Sequence, residues 1–484
     1  MLYPGFISGS FALQSPMADI ERTVNWYPER INQGAVPWGA ALYPCPGQST
    51  FLTVPEVNTR ALFSMAGRVH AVVGPTLYEI FDTATATSRG TVVQDSNPAS
   101  IASNGDGGDE LLIASGTNGY LLNLSTNGVS TVLTGDCVMA GMIDGYFLAF
   151  NTATSKFRIS ELNDGTTWDA TQFAQRSIAP DPWRAMVIDG SRQIWLIGEQ
   201  TGEVWYDAGT SPFPFAPVPG AVFSYGTPAP WSVKLVGDTM CWLSRTADGA
   251  GMVVSAQGPN PVRISTHAVE TAIAGYERTS KITDAEAVVY SAEGHIFYCL
   301  TFPSANATWV YDLVSGIWHE RGVWDSSDGD FGIWGPRSHA YGFSKHLVGD
   351  RSSGLLCVMD NTTTTECDGS VIRRVRTPPP LWRNPDVRRM FVSRFELMME
   401  VGLGNSSGAG VDPSVMLQSS INTKTWSDER TAGAGKQGAY GVHVVWTRLP
   451  SSTQCWVPSI TVSDPIPWRL VGAEVEGRGF WRSG

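Results

Sequence analysis

The chain has 484 residues, of which 42% are hydrophobic, enough for a large core in roughly two to four domains. Its formal net charge of −12 argues against a protein that wraps nucleic acid non-specifically, because such binding requires a basic face. Only 16% of the residues are charged, below the share of about 25% in typical domains. Either other copies or partners cover part of the surface, or a Ser-, Thr- and Asn-rich β surface takes the place of charge.

The composition predicts an all-β protein. The chain contains 51 Gly, 30 Pro, 18 Trp, 14 Tyr and 19 Phe, and aromatic residues suit half-buried sheets while Gly and Pro mark turns. Its seven Cys include no CxxC pair and several lie in apolar strand patterns, so we expect buried, reduced thiols. The N-terminus has no basic segment followed by an apolar run, and no window approaches the roughly 18 apolar residues of a membrane helix. We therefore expect neither a signal peptide nor a membrane span.

Residues 1–58 are rich in Pro and Gly and show little periodicity. They predict an N-terminal arm whose short strands pack with the C-terminal domain. Within this arm, residues 22–29 read Arg-Thr-Val-Asn-Trp-Tyr-Pro-Glu, which predicts a short aromatic strand that ends at a proline.

Residues 59–370 repeat a unit of short apolar runs separated by Gly and Asp turns. The spacing of roughly 40 to 50 residues is typical of four-stranded propeller blades. Six copies begin near Ala61, Ser100, Met142, Met186, Val233 and Ala287. We interpret them as a β-propeller of about six blades rather than an array of sandwiches, because so many sequential meanders do not fit one sandwich. A seventh, partial unit over residues 340–360 either closes the ring or forms an edge.

Residues 371–484 predict an additional β-sandwich-like platform domain. After a run of three prolines at 378–380, strand patterns return at residues 390–401, 415–418, 443–446 and 468–475. No segment of the chain has the pattern of a long amphipathic helix.

The sequence predicts no catalytic, cofactor or metal site. HExxH, GxSxG and Walker A patterns are absent. The turn that holds Asp106 and Asp109 is an acidic hairpin turn or, less simply, a calcium site without EF-hand spacing. Residues 163–168 and, in a degenerate form, residues 422–426 resemble the Asp boxes of sialidase-type propellers, which stabilise a hairpin and are not catalytic. A sialidase also needs an arginine cluster with a Tyr/Glu pair, and the arginines between residues 60 and 340 are scattered.

The densest positive feature follows the propeller repeats. It comprises Arg373, Arg374, Arg376, Arg383, Arg388 and Arg389, with Arg394 shortly after them. These residues form either a salt-bridge belt between domains or subunits, or a phosphate-contacting ring that faces DNA. The planar guanidinium pairs with carboxylate or phosphate equally well.

The two ends of the chain resemble a known family. Residues 425–427, 435–440, 445–449, 461–467 and 472–474 are similar to the C-terminal part of short-tailed bacteriophage tail-hub proteins, also called nozzle or packaged-DNA stabilisation proteins. Residues 22–29 are similar to their opening segment. The sequence Asn422-Thr423-Lys424 departs from the pattern, since the family tends to have an Asp/Gly-rich turn there.

The resemblance implies a non-enzymatic virion protein that forms a homohexameric ring below the portal and adaptor. Its channel would continue the path of double-stranded DNA without sequence specificity, retain the packaged genome and open at ejection. The implied partners are the head-to-tail adaptor and tail fibre or needle proteins. The implied location is the virion tail, after assembly in the bacterial cytoplasm. The alternative function is a carbohydrate-binding or glycan-cleaving propeller of the tail.

Overall fold

The computed structural model describes residues 1–31, 39–105, 108–176, 181–245, 249 and 251–480. Most of these residues lie in antiparallel strands, and seven blades of four strands each follow one another around a ring. Six of the blades are separate sheets, and the strands of the remaining one are part of a larger sheet. Blade 1 comprises Thr59–Met65, Arg68–Val73, Thr76–Phe81 and Thr85–Thr91; blade 2 comprises Ser100–Ser103, Glu110–Ser115, Asn118–Asn123 and Val129–Leu133; blade 3 comprises Met139–Ile143, Tyr146–Asn151, Lys156–Ile159 and Phe173–Gln175.

In blades 4 to 6 the strands again follow the order of the chain, whereas blade 7 takes its fourth strand from the N-terminal region. Blade 4 comprises Trp183–Ile188, Gln193–Gly198, Gly202–Asp207 and Phe215–Phe223; blade 5 comprises Lys234–Val236, Thr239–Arg245, Gly251–Ala256 and Val262–Arg263; blade 6 comprises Glu286–Ala292, His295–Phe302, Ala307–Asp312 and Ile317–Glu320; blade 7 comprises Pro336–Gly342, Lys345–Asp350, Leu355–Asp360 and Gly47–Thr53. A short hairpin, Trp324–Asp325 with Asp330–Phe331, lies between blades 6 and 7.

Tight turns set the register within the blades. In blade 3 Ile143 pairs with Tyr146, and the two residues between them, Asp144 and Gly145, have φ of 54° and 86°. Two consecutive residues with positive φ make a type I′ turn, for which Asp-Gly is a favoured sequence. The turn therefore follows directly from the local sequence.

A strand from the N-terminal region completes blade 7. Leu52 pairs with Leu356 and Ser49 with Val358. Leu52 also shares a buried cluster with Val69 of blade 1, so blade 7 packs on blade 1 and the ring is closed. The propeller is confirmed, and the partial unit whose role the sequence left open is a complete seventh blade. The division of the chain at residues 58 and 370 stays a prediction.

One α-helix of 13 residues, His267–Thr279, follows blade 5. Thr266 caps its N-terminus, and Val269 and Ile273 are buried against blades 5 and 6. The sequence pattern does not indicate this helix, because its apolar face is narrow and its remaining positions are polar or small. Two short 3-10 turns, Pro230–Ser232 and Pro303–Ala305, complete the helical residues of the described chain. No helix among the described residues is long and apolar enough to cross a membrane.

The C-terminal domain is a β-sandwich that includes N-terminal strands. Its first sheet contains Phe11–Ala12, Ile20–Val24, Arg374–Thr377, Leu381–Trp382, Ser414–Ser420, Arg430–Gly433 and Cys455–Val462. Its second sheet contains Trp26–Arg30, Ala40–Pro44, Met390–Met399, Val444–Thr447, Ser451–Ser452 and Leu470–Arg478. Aromatic and aliphatic side chains of both sheets, among them Trp26, Phe395 and Trp456, form one buried core.

Asn25 is the corner between the two sheets. The predicted single strand is two strands, because Asn25 has a φ of 59° and turns the chain from one sheet into the other. Its amide nitrogen donates to the carbonyls of Gly322 and Arg373, each at 2.8 Å. Just before it, Val24 pairs in parallel with Glu320 of blade 6. One continuous sheet thus joins the propeller to the sandwich.

The cysteines depart in part from expectation. Cys357 and Cys367 form a disulfide with 6.0 Å between their Cα atoms, so the expectation of reduced thiols is wrong for this pair. Strand pairing and a tight turn place two residues that are ten positions apart side by side, which the spacing alone did not indicate. The other five cysteines are free and buried.

Candidate assembly surface

The arginine-rich segment starts with a strand in the middle of the sandwich. Arg374–Thr377 lies between Ile20–Val24 and Cys455–Val462. Because side chains alternate along a strand, Arg374 and Arg376 point to one face, and neither has any exposed surface. Buried arginines require partners within the chain.

The guanidinium of Arg376 makes all its hydrogen bonds to residues of the N-terminal segment. Its guanidinium donates to the carbonyls of Gly5, Phe6 and Gly9 at 2.6 to 3.0 Å and to a Glu21 carboxylate oxygen at 2.7 Å. It also donates to the Thr23 hydroxyl at 2.9 Å. Burial lowers the pKa of Arg376, and the neighbouring Glu21 opposes that shift. This network fastens the first residues of the chain onto the sandwich.

Arg374 lies at the junction of the two domains. One of its Nη atoms donates to the Ile372 carbonyl at 3.1 Å, and its other two nitrogens have no partner among the described residues. Burial lowers the pKa of Arg374 to about 10, while Cys45 and Glu366 act in the opposite direction. A residue so enclosed contributes to the domain junction rather than to a surface.

Arg373 and Arg383 also bind within the chain. The Arg373 guanidinium packs 4.1 Å from the centroid of the Trp324 ring, a cation–π contact with the hairpin after blade 6. Arg383 donates to the carbonyl of Thr453 at 2.8 Å and to that of Asn384 at 3.0 Å. It therefore holds together the loop that follows Leu381–Trp382.

Arg388 and Arg389 differ from the other four arginines because they are exposed. Neither has an ion-pair partner in the part of the chain that the structure describes. Beside them, Phe391 is 40% exposed and the exposed Arg478 lies 4.8 Å from its ring centroid. We call Arg388, Arg389, Phe391 and Arg478 the arginine patch.

The arginine patch was only half visible in the sequence. The density of arginines indicates Arg388 and Arg389, but no sequence pattern indicates Phe391 and Arg478. The pairing of Phe391 with Arg478 across the second sheet brings them together, and no local pattern indicates which strands will be neighbours. A role of all six predicted arginines as subunit-contact or channel residues stays a prediction, for which the structure leaves Arg388 and Arg389 accessible.

Charge is distributed unevenly along the chain. Residues 371–484 contain 14 Arg and Lys against 9 Asp and Glu, whereas residues 1–370 contain 19 against 36. Residues 1–46, whose strands belong to the sandwich, add 2 Arg against 3 Asp and Glu, and residues 47–370 keep 17 against 33. A basic sandwich domain is thus attached to a strongly acidic propeller. Such asymmetry favours contacts in which the two ends of neighbouring copies, or of different proteins, meet.

A polar cavity of about 330 Å³ lies at the domain junction. Acidic side chains, Asp325, Asp328 and Asp330, share its wall with the rings of Tyr276 and Phe331. Arg22 also lines the cavity, and its guanidinium pairs with the carboxylates of Glu320 and Asp330, each at 2.9 Å. Burial raises the pKa of Tyr276 to about 12, so its phenol stays a neutral hydrogen-bonding group.

The Asp-box-like turns have the geometry expected for structural turns. In blade 3 the Asp164 carboxylate accepts the Thr166 amide at 2.8 Å, and the Trp168 indole donates to the Gly165 carbonyl at 2.7 Å. In the sandwich the Asn422 side chain takes the aspartate's place and accepts the amide of Thr425 at 2.9 Å.

The candidate calcium turn falls partly outside the described residues, since the structure does not describe Asp106. Its other acidic residue, Asp109, accepts the Ser125 hydroxyl at 2.8 Å. Within the described ranges no three His, Cys, Asp or Glu side chains are grouped as metal ligands.

The fold and the surface define a two-domain all-β protein, a seven-bladed propeller joined through one continuous sheet to a sandwich. A family model described as "Bacteriophage P22 Gp10, beta-propeller" matches residues 29–364, and a second, "Bacteriophage P22 Gp10, beta-sandwich", matches residues 381–478. The chain belongs to the bacteriophage P22 Gp10 family and is a structural protein of the phage tail. No curated protein matches the chain in sequence.

Solved structures match the chain only at low similarity. A streptogramin B lyase is 8% identical, with 65% of this chain and 97% of that chain covered and a TM-score of 0.40. A virginiamycin B lyase from Staphylococcus aureus is 10% identical, with 65% and 98% covered and a TM-score of 0.41. The extracellular domain of a one-component system from B. thetaiotaomicron is 8% identical, with 77% and 46% covered and a TM-score of 0.43. At these scores nothing about function is inferred from them.

Proposed function

We propose that this protein forms the nozzle ring of the phage tail, a homohexamer that continues the DNA channel below the portal and adaptor. The ring retains packaged DNA without sequence specificity and takes part in its ejection, and the protein is not an enzyme. Adaptor above and fibre or needle proteins below are its partners, and it is assembled in the bacterial cytoplasm. Membership of the P22 Gp10 family over both domains is the observation that carries the proposal.

The charge distribution supports ring formation. A basic patch and an acidic body on the same chain favour head-to-tail contacts, and head-to-tail contacts close into rings when the rotation between copies allows it. The arginine patch supplies accessible cations that have no carboxylate partner among the described residues. We assign Arg388 and Arg389 to the contact between copies.

Assembly of purified protein tests this assignment. We expect the wild-type chain to form rings of six and Arg388→Glu/Arg389→Glu to remain monomeric while folding normally. Arg278→Glu, a charge reversal of an exposed arginine in the helix His267–Thr279 that also has no ion-pair partner among the described residues, is the control and should still assemble. Normal rings from the double variant would show that the patch is ordinary surface.

Genome retention is tested in virions. Phage that carry the Arg388→Glu/Arg389→Glu chain should yield heads that lose their DNA after packaging. Full-length packaged DNA in stable particles would contradict a role of the patch in retention.

Glycan binding is a second candidate, favoured by the junction cavity with its acidic and aromatic wall. Aromatic faces and carboxylates are groups that bind sugars through apolar and hydrogen-bonding contacts. Incubation with host surface polysaccharide decides this point. Binding that Asp328→Ala abolishes would support the candidate, and absence of binding and of cleavage would remove it.

A further inference from the structure

An apolar cavity of about 440 Å³ lies among the first strands of blades 1 to 5, on the inner side of the ring. Half-buried side chains from five blades form its wall, among them Phe63, Ile101, Met142, Ile188 and Trp231. A concave apolar surface that its own side chains leave unfilled is typical of a ligand site.

Lys234 stands at the edge of this cavity. It also lines a second, more polar cavity of about 300 Å³ that continues toward blades 6 and 7. Among the described residues its ammonium group has no hydrogen-bond or ion-pair partner. Glu286, which lines the second cavity, is paired instead with Arg337 at 3.0 Å and Arg351 at 2.6 Å.

The surroundings leave positive charge without compensation at this point. Burial lowers the pKa of Lys234, and Glu286 only partly opposes this. Arg60 and Arg337 line the same polar cavity and each pairs with one carboxylate, Asp95 and Glu286 respectively. The Lys234 side chain is half-buried, so an anion at the edge of the cavity would gain a charge-assisted contact with an ammonium group that pairs with no described carboxylate.

We propose that the apolar cavity of about 440 Å³ binds a small amphiphilic anion. The apolar body of the anion would lie among the side chains of blades 1 to 5, and its single carboxylate or sulfonate would lie against Lys234. The size of the cavity suits an acyl chain or one aromatic ring system. The binding site lies inside one propeller and does not depend on ring assembly.

Calorimetric titration of the full chain with decanoate tests the proposal, with 1-decanol as the neutral probe of the same length. We expect one decanoate per chain. Lys234→Met should weaken decanoate binding about tenfold or more, because a charge-assisted contact is lost, and should leave decanol binding unchanged. Lys281→Met is the matched control, because the Lys281 side chain is 60% exposed.

A second variant locates the apolar part of the site. Ile188→Trp fills the cavity from blade 4 and should weaken both probes, with circular dichroism as the check on folding. Lys234→Met removes a cation without a described partner, so it should fold at least as stably as the wild type. Three results would each overturn the proposal: no decanoate binding, several equivalent molecules per chain, or equal losses in the Lys234 and Lys281 variants.

Discussion

At the scale of single residues, similar side chains have different tasks. Within the stretch of arginines, Arg374 and Arg376 are buried, Arg373 and Arg383 stabilise loops, and Arg388 and Arg389 face solvent. The sequence showed the density of charge but not this division, because burial depends on which strands lie beside Arg374–Thr377. Only the structure separates the structural arginines from the accessible ones.

Arg376→Met should destabilise the isolated chain by about 3 to 5 kcal/mol, because it leaves the Glu21 carboxylate buried without its partner. Denaturant unfolding measures the effect. Arg388→Met, the same change on the surface, should alter stability by less than about 0.5 kcal/mol. Equal effects of the two changes would contradict the assignment of Arg376 to the core.

Asn25→Ala should cost about 3 kcal/mol, because it forces alanine into positive φ and removes three side-chain hydrogen bonds, two of them buried. Glycine adopts positive φ without strain, so Asn25→Gly loses only the hydrogen bonds and should cost about 1 kcal/mol less than Asn25→Ala. Thermal melting of both variants is the measurement. If glycine is no better than alanine, the left-handed corner is not the reason for asparagine.

His70 makes stability depend on pH. Its side chain is 1% exposed, and burial lowers its pKa to about 4, with Arg68 and Arg89 adding to the shift and Glu79 opposing it. Below the unfolded pKa of about 6.5, the unfolded chain binds a proton that the folded chain does not. The stability contributed by neutral His70 is therefore lost as the pH falls from about 6.5 to 4.

His70→Leu should remove this contribution, up to roughly 3 kcal/mol over that range. Denaturation midpoints measured between pH 7 and pH 4 test the expectation. His267→Leu is the control, because the His267 side chain is 80% exposed. A pH profile that is identical in wild type and His70→Leu would be incompatible with a buried neutral histidine.

At the scale of elements, local sequence patterns predicted the meanders of neighbouring strands. They did not predict which strands distant in the sequence pair with each other. Turns such as Asp144-Gly145 fix neighbouring strands, and the blades were accordingly visible in the sequence. Three features were not visible: the fourth strand of blade 7, the break at Asn25 and the helix His267–Thr279. Each depends on contacts with distant residues, for which sequence periodicity carries no information.

Leu52→Ala tests the closure of the ring by Gly47–Thr53. Leu52 is 8% exposed and packs with residues of blades 1 and 7, so the cavity should cost about 2 to 4 kcal/mol. The exposed neighbour Thr53 provides the control, Thr53→Ala. Limited proteolysis should cut the Leu52 variant faster, and equal rates for both variants would argue against a closing strand.

At the scale of the whole molecule, the architecture favours a rigid subunit with two unlike ends. The continuous sheet through Val24 and Glu320 and the Asn25 corner join the two domains. The acidic propeller and basic sandwich then provide complementary surfaces for neighbours. Neither the sheet nor the accessible patch was predictable in detail, whereas the charge asymmetry follows from composition alone.

Native mass spectrometry of the purified full-length chain, combined with electron microscopy of the same sample, tests the central claim most directly. The proposed function predicts a complex of six 52.3 kDa chains that appears as a ring with a central channel wide enough for double-stranded DNA. A stable monomer at all concentrations, which also fails to form a ring when mixed with the adaptor, would contradict it.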